Sequence, residues 1–157
     1  MFGDSPLPIE MDMHDLEIVK KRLGEKRLTF SIAKNGNIVF ETASNGIWGF
    51  LEAIEKFGDV LEGASVADRV AGEAIALLCV YVKVKAVYAV TLSKRAKSVF
   101  EKYAVYHEWK HLVENILDAN KTGLCPFEKL AREISNPKDA YKRLKALQKS
   151  LKTVDEN

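Results

Sequence analysis

The longest apolar stretch of the chain runs from Val70 to Val82 and carries one charged residue, Glu73. Just ahead of it stand the polar side chains Ser65, Asp68 and Arg69. Ala64–Val82 therefore reads as a helix buried on most sides and entered through a polar mouth. A helix N-terminus has unpaired N–H groups and partial positive charge, which suits a cap, a carboxylate or a phosphate. Around this stretch the pattern predicts further elements. In Asp12–Leu23, Leu16, Val19 and Leu23 recur three and four apart with Ile18 beside them, a first helix that Gly24 ends. Arg27–Thr42 alternates β-formers around Asn35-Gly36, a pair suited to a tight turn with positive φ, and so predicts a β-hairpin. Ile47–Phe57 is a second helix, with Ser44 or Asn45 as N-cap and Gly58 as stop. Gly63–Ala67 is a candidate inner strand leading into the central helix.

Val84–Leu92 is a strand, apolar on both faces apart from lysine. Ser93 caps a helix through Tyr103, with Ala96, Val99 and Phe100 on one face. Ala104–Glu108 is a short strand that Trp109 extends, and His111–Asn120 is helical or irregular. Lys121–Glu128 is a turn feeding a helix, because proline suits a helix's first position. Asn136-Pro137 breaks that helix, and Lys138–Lys152 forms the last one on Tyr141, Leu144, Leu147 and Leu151. A hairpin followed by alternating strands and helices implies a three-layer α/β fold. Its sheet is mixed, with about five strands, helices on both faces and right-handed crossovers. Val84–Leu92 would be a central strand.

The length of 157 residues fits one domain. Its expected bounds are 12–152, between a flexible leader over 1–11, where Pro6 and Pro8 forbid regular structure, and a flexible tail over 153–157. A composition 47% hydrophobic and 29% charged excludes a disordered chain. No apolar run approaches the roughly 20 residues that span a bilayer. The first residues lack a basic region and an apolar core of signal-peptide type, so a cytoplasmic location without membrane contact is expected. A net charge of +2 gives no general reason to expect nucleic acid as a partner. The last helix has a basic polar face of Lys138, Lys142, Arg143, Lys145, Lys149 and Lys152, a solvated face or else a partner surface. Trp48 and Phe50 on the second helix make a homodimer plausible. Cys79 and Cys125 give no disulfide framework.

V-A-D-R-V-A, Val66–Ala71, resembles the helix-start motif of zinc-dependent cytidine deaminases, and the element order is that of the cytidine deaminase-like fold. From Asp12 to Ile134 the chain more closely resembles a small, functionally uncharacterised prokaryotic family with that fold. The motifs that carry this resemblance are D-R-V-A-G, Asp68–Gly72, and T-G-L-C-P-F-E, Thr122–Glu128. The deaminase pattern fails at its metal. Val66 stands where the first zinc ligand belongs, and an isopropyl group cannot coordinate. The expected P-C-x-x-C place reads Leu92-Ser93-Lys94-Arg95-Ala96. Zinc needs at least three converging Cys, His or carboxylate ligands, and His14, His107 and His111 are scattered. No metal or other cofactor is expected, and zinc-activated water attack on a base is excluded as the activity.

What the resemblance leaves is a pocket. Asp68 falls where the proton-shuttling glutamate would be, as a cap or as a contact to a ligand hydroxyl or amine. Glu73 needs a partner or a cavity, because an unpaired buried carboxylate is costly. Asn45 caps a helix or, as the resemblance implies, touches ribose. Thr122 and Gly123 form a donor-rich turn. Cys125 sits at a helix N-terminus, which lowers a thiol's pKa, although Glu128 opposes this. Lys94 and Arg95 could meet a phosphate. The expected site is then Asn45, Asp68, Arg69, Glu73, Lys94, Thr122, Gly123 and Cys125, binding a nucleotide or nucleoside-diphosphate-like molecule in a sensing or regulatory role. Two alternatives stand beside it. One is a metal-independent enzyme with Asp68 as base and Cys125 as nucleophile or acid. The other is a non-enzymatic interaction scaffold.

Overall fold

The computed structural model describes residues 3–4, 12–118 and 120–156. The element order is β1 (Gly3–Asp4), α1 (His14–Glu25), β2 (Phe30–Lys34), β3 (Asn37–Thr42), α2 (Gly46–Phe57), β4 (Ser65–Ala71), α3 (Glu73–Tyr81), β5 (Ala86–Ser93), α4 (Lys94–Lys102), β6 (Tyr106–Val113), α5 (Pro126–Ala131) and α6 (Ala140–Glu156). The sheet runs β1-β6-β5-β4-β2-β3. Five of these are full strands and β1 is a two-residue edge piece. β2 pairs antiparallel with β3 and with β4, whereas β4–β5 and β5–β6 are parallel. The mixed sheet thus follows the expected sequence of one hairpin and two helical crossovers, with β5 inside it.

The hairpin turns at Asn35 (φ 53°) and Gly36 (φ 84°), two consecutive positive values that match a type I′ turn. α1 holds this turn from below: the Asp15 carboxylate accepts the Asn35 and Gly36 N–H groups at 2.9 and 2.7 Å. Leu16, Val19 and Leu23 pack with Ala33, Ala67 and Ala86 on that face. The other face carries the main core, built on Phe30, Ile32, Phe50, Leu78, Leu92 and Phe100. α3 lies on β4 and is itself covered by α4, α5 and α6, so six of its nine residues are buried. α5 and α6 therefore add a further layer outside the helices that touch the sheet.

Ala64–Val82 is not one helix. Its first part, Ser65–Ala71, is strand β4, hydrogen-bonded on both sides, and the helix starts only at Glu73. The candidate strand Gly63–Ala67 starts two residues before β4 and ends four residues short of its end at Ala71. Asp68 and Arg69 consequently point to opposite faces of a strand and do not stand in a helix mouth. A short apolar run does not distinguish an inner strand from a buried helix by periodicity. β6 likewise continues to Val113 through a segment expected to be helical or irregular. In that strand His107 is buried, stacks on Trp109 and packs at a tilt against Phe100, while its Nδ1 lies 2.8 Å from the Val105 carbonyl. It is a core residue.

α6 runs on to Glu156, past the expected end at Lys152. The leader falls mostly outside the described residues, except that Gly3–Asp4 pair with Trp109 and Glu108. The basic face of α6 docks on acidic α2, through Lys145–Glu55 at 2.8 Å and Lys152–Glu52 at 3.7 Å. Phe50 is fully buried and Lys152 covers the Trp48 ring, so the aromatics that suggested a dimer surface are used within the chain. Among the described residues no helix is long and apolar enough to cross a membrane.

Candidate functional site

A cavity of about 470 Å³ opens beyond the C-terminal end of β4. That size lies in the range of small-molecule pockets. Its walls come from the start of α2 (Asn45–Trp48), the start of α3 (Ala74, Ile75), the start of α5 (Cys125–Glu128) and the stretch Ile116–Asp118. Leu151 of α6 closes one side, and Asp68 and Val70 of β4 line it from the sheet. Most of its described lining residues are apolar, the polar ones being Thr29, Ser44, Asn45, Arg69 and the carboxyl-bearing Asp68, Asp118 and Glu128.

Asp68 is 2% exposed. Its Oδ1 accepts the Val70 N–H at 3.2 Å, and its Oδ2 has no hydrogen-bond partner among the described residues. Burial pushes the carboxyl up to about 8, against the pull of the Val70 and Arg69 N–H groups. At neutral pH it is therefore mostly the neutral acid. Space around it is tight: a Cβ on Gly46 would lie 3.2 Å from Asp68 Oδ1. The neighbouring Arg69 does not neutralise it. Its guanidinium donates from Nε to the Leu28 carbonyl (2.6 Å) and from Nη2 to the Leu23 carbonyl (2.9 Å), on the α1 face of the sheet.

The mouth of α3 is occupied by the chain itself. Glu128 of α5 is 7% exposed, and its two oxygens accept the Glu73 and Ala74 N–H groups, each at 2.8 Å. These are orphan donors of a helix first turn, and a carboxylate satisfies both their hydrogen bonding and the helix dipole. Burial nevertheless dominates and raises the Glu128 carboxyl above its usual range. Gly72 makes the approach possible, since a Cβ there would fall 2.1 Å from Glu128 Oε1. Asn45 caps α2, its side-chain oxygen accepting the Ile47 and Trp48 N–H groups.

Of the expected site residues, Asn45, Asp68, Arg69 and Cys125 line the cavity. Glu73, Lys94, Thr122 and Gly123 do not. Glu73 pairs with Arg95 at 3.2 Å, Lys94 with Glu114, and Thr122 donates to Asp118, so the two cations expected to meet a phosphate are held in ion pairs elsewhere. Cys125 behaves opposite to expectation: burial raises its thiol above the ordinary value, outweighing the Phe127 and Glu128 N–H groups. A helix start lowers a thiol's pKa, but here the half-buried thiolate loses more by desolvation than the N–H groups return. Sequence reasoning missed Trp48, Val70, Gly72 and Leu151 as site residues and read Glu128 only as a charge near Cys125. A glutamate two residues after the Pro126 start of a helix was the one signal for Glu128. Among the described residues no group of three or more His, Cys, Asp or Glu is placed to hold a metal ion.

Comparison with known proteins places this geometry in a family. Residues 18–147 match the model of TM1506, a domain of unknown function (DUF1893). Among solved structures, a DUF1893 family protein (TM1506) from Thermotoga maritima is similar at a TM-score of 0.78 and 25% identity, covering 87% of this chain and 92% of that chain. No curated protein matches.

Proposed function

The chain belongs to the DUF1893 family, and from that premise we propose that it is a binding protein for a nucleoside-like small molecule. The fold would be a zinc-less variant of the cytidine deaminase-like fold. The observation that carries the reading is the buried Asp68 carboxyl, with one oxygen unpartnered, lining a 470 Å³ apolar cavity. A buried polar atom without a partner is costly, and pockets that recognise ligands keep a few such groups in apolar walls. The apolar walls formed by Trp48, Ile75 and Phe127 suit a flat ring, and Asp68 supplies the polar contact.

The strand order β3-β2-β4-β5-β6, with its antiparallel hairpin and two parallel crossovers, supports the deaminase-like reading. In that reading the helix-start motif falls on Ala71-Gly72-Glu73, five residues later than the sequence suggested. A methyl group then stands at the first ligand position, and the Glu73–Arg95 ion pair spans the helix starts where a metal would be held. Both features favour holding a ligand over metal-assisted chemistry. A metal-independent reaction is disfavoured by the raised Cys125 thiol and by the lack of a histidine among the described residues that line the cavity. Since Lys94 and Arg95 are engaged outside the cavity, the base and sugar are the recognised parts and a phosphate has no cation waiting for it. The role is sensing or regulation.

The test is a thermal-shift screen of nucleobases, nucleosides and nucleotides, with and without zinc. A true ligand at a hundred times its Kd stabilises by about 2.7 kcal/mol. A flat response across the panel would remove the reading.

A further inference from the structure

The charges around the cavity narrow the ligand. Cys79 on α3 lies within reach of the Asp68 charge, and Glu128 on α5 with Asp118 and Cys125 on the connecting loop line the same cavity. α2 contributes Asn45 and Gly46, which are uncharged, and the Arg69 charge is tied to carbonyls on the other face of the sheet. Among the described residues three carboxyl groups therefore line the cavity, and the guanidinium of Arg69, the cationic residue in that lining, is directed away from it. Glu128 has both oxygens committed to α3, and Asp118 bonds to Thr122. Asp68 Oδ2 alone is left to a ligand, nine-tenths and more buried.

Resting on the binding function just described, we propose that the ligand presents a positively charged or N–H-rich edge, an amidine, amine or amino-heteroaromatic group, that donates to Asp68 Oδ2. A buried carboxylate offered a cation gains a charge-assisted bond, and the cation gains a partner that water cannot displace. An anion would meet three carboxyl groups and, among the described lining residues, no cation turned toward it. Because Asp68 holds a proton up to about pH 8, a cationic edge can bind only as that proton leaves for solvent. Binding is then coupled to the release of one proton.

Benzamidine is the cationic probe, with benzamide and benzoate as its neutral and anionic counterparts, and adenosine, cytidine and uridine alongside. Calorimetry in two buffers of different ionisation enthalpy counts the proton. The expected result is that benzamidine binds and benzoate does not. Its affinity should fall about tenfold per pH unit below about 8, with one proton released on binding. The Asp68→Asn variant should lose both the binding and the pH slope. Benzoate binding in preference to benzamidine would overturn the inference. So would tight binding of a nucleoside with no pH slope and no loss in Asp68→Asn, although the cavity would remain a binding site. No response to any probe or nucleoside overturns the inference together with the function beneath it.

Discussion

Asp68 makes a test of the structure that needs no ligand. In the unfolded chain its carboxyl releases its proton near the ordinary 3.8, whereas in the fold it retains the proton up to about 8. Between these values folding takes up a proton, so stability from this group is full at low pH and is lost as pH rises. The slope is about 1.4 kcal/mol per pH unit, which over this window reaches the order of 5 kcal/mol. Asp68→Asn removes the titration. The amide keeps an oxygen for the Val70 N–H and places an NH2 group where the acid's second oxygen lies. At about pH 4 the two proteins should agree to within about 1 kcal/mol, and by about pH 8 the variant should be the more stable by several kcal/mol. For a chain of this length that is on the order of 10 °C in Tm. Urea unfolding of both proteins, compared at intervals across this range, reads the difference directly. Parallel stability curves would refute the burial of an uncompensated carboxyl at position 68. A gain in stability on removing a carboxylate is what a residue retained for binding gives.

Glu128→Ala leaves two N–H groups of α3 without acceptors, and a loss of about 3 kcal/mol is expected in denaturant unfolding; Glu128→Gln, with one acceptor left, should lose about half of that. Gly72→Ala drives a Cβ into Glu128 and should cost a similar amount. Because both changes remove one contact, the double variant should lose clearly less than the sum, and full additivity in the cycle would contradict the contact. Cys125 should react with iodoacetamide near neutral pH more slowly than a free cysteine thiol, its thiolate being disfavoured by burial; rapid, selective labelling would reopen the enzymatic alternative.

Much of the fold was legible because its punctuation is local. Asn35-Gly36 can close a hairpin on its own, Asn45 caps α2 through its own side chain, and Ser93 does the same for α4 by accepting the Ala96 N–H. β4 was misread because its evidence is not local. Val66-Ala67-Asp68 becomes a strand through ladders to β2 and β5, which lie more than fifteen residues away in either direction. The same holds for β6 beyond Trp109, where His111 and Leu112 are fixed by register against Thr91 and Leu92. Within the site, Asn45 and Cys125 announced themselves as polar or reactive groups at element ends, and Asp68 as a carboxyl group beside an apolar run. Val70, Ile75 and Leu151 did not, because an apolar residue lining a cavity and one filling a core look alike in a sequence. Glu73 and Arg95 were expected at a ligand and instead satisfy each other, a pairing across 22 positions that composition does not reveal.

The carboxylate that closes the mouth of α3 arrives late in the chain. Glu128 lies 55 residues after the Glu73 N–H that it accepts. α3 is therefore a central element with a borrowed cap, and until α5 docks it has a bare N-terminus and an uncovered apolar flank. Closing so long a loop costs entropy before it returns any contact. During synthesis the sheet and α3 emerge well before the segment that covers them, so the intermediate most exposed to proteases and to association is a sheet with its outermost helical layer missing. A chain ended after Asn115 should show this state persistently, as rapid proteolysis within α3 that the full chain resists, and equal resistance of the two would show that α3 stands without its cap.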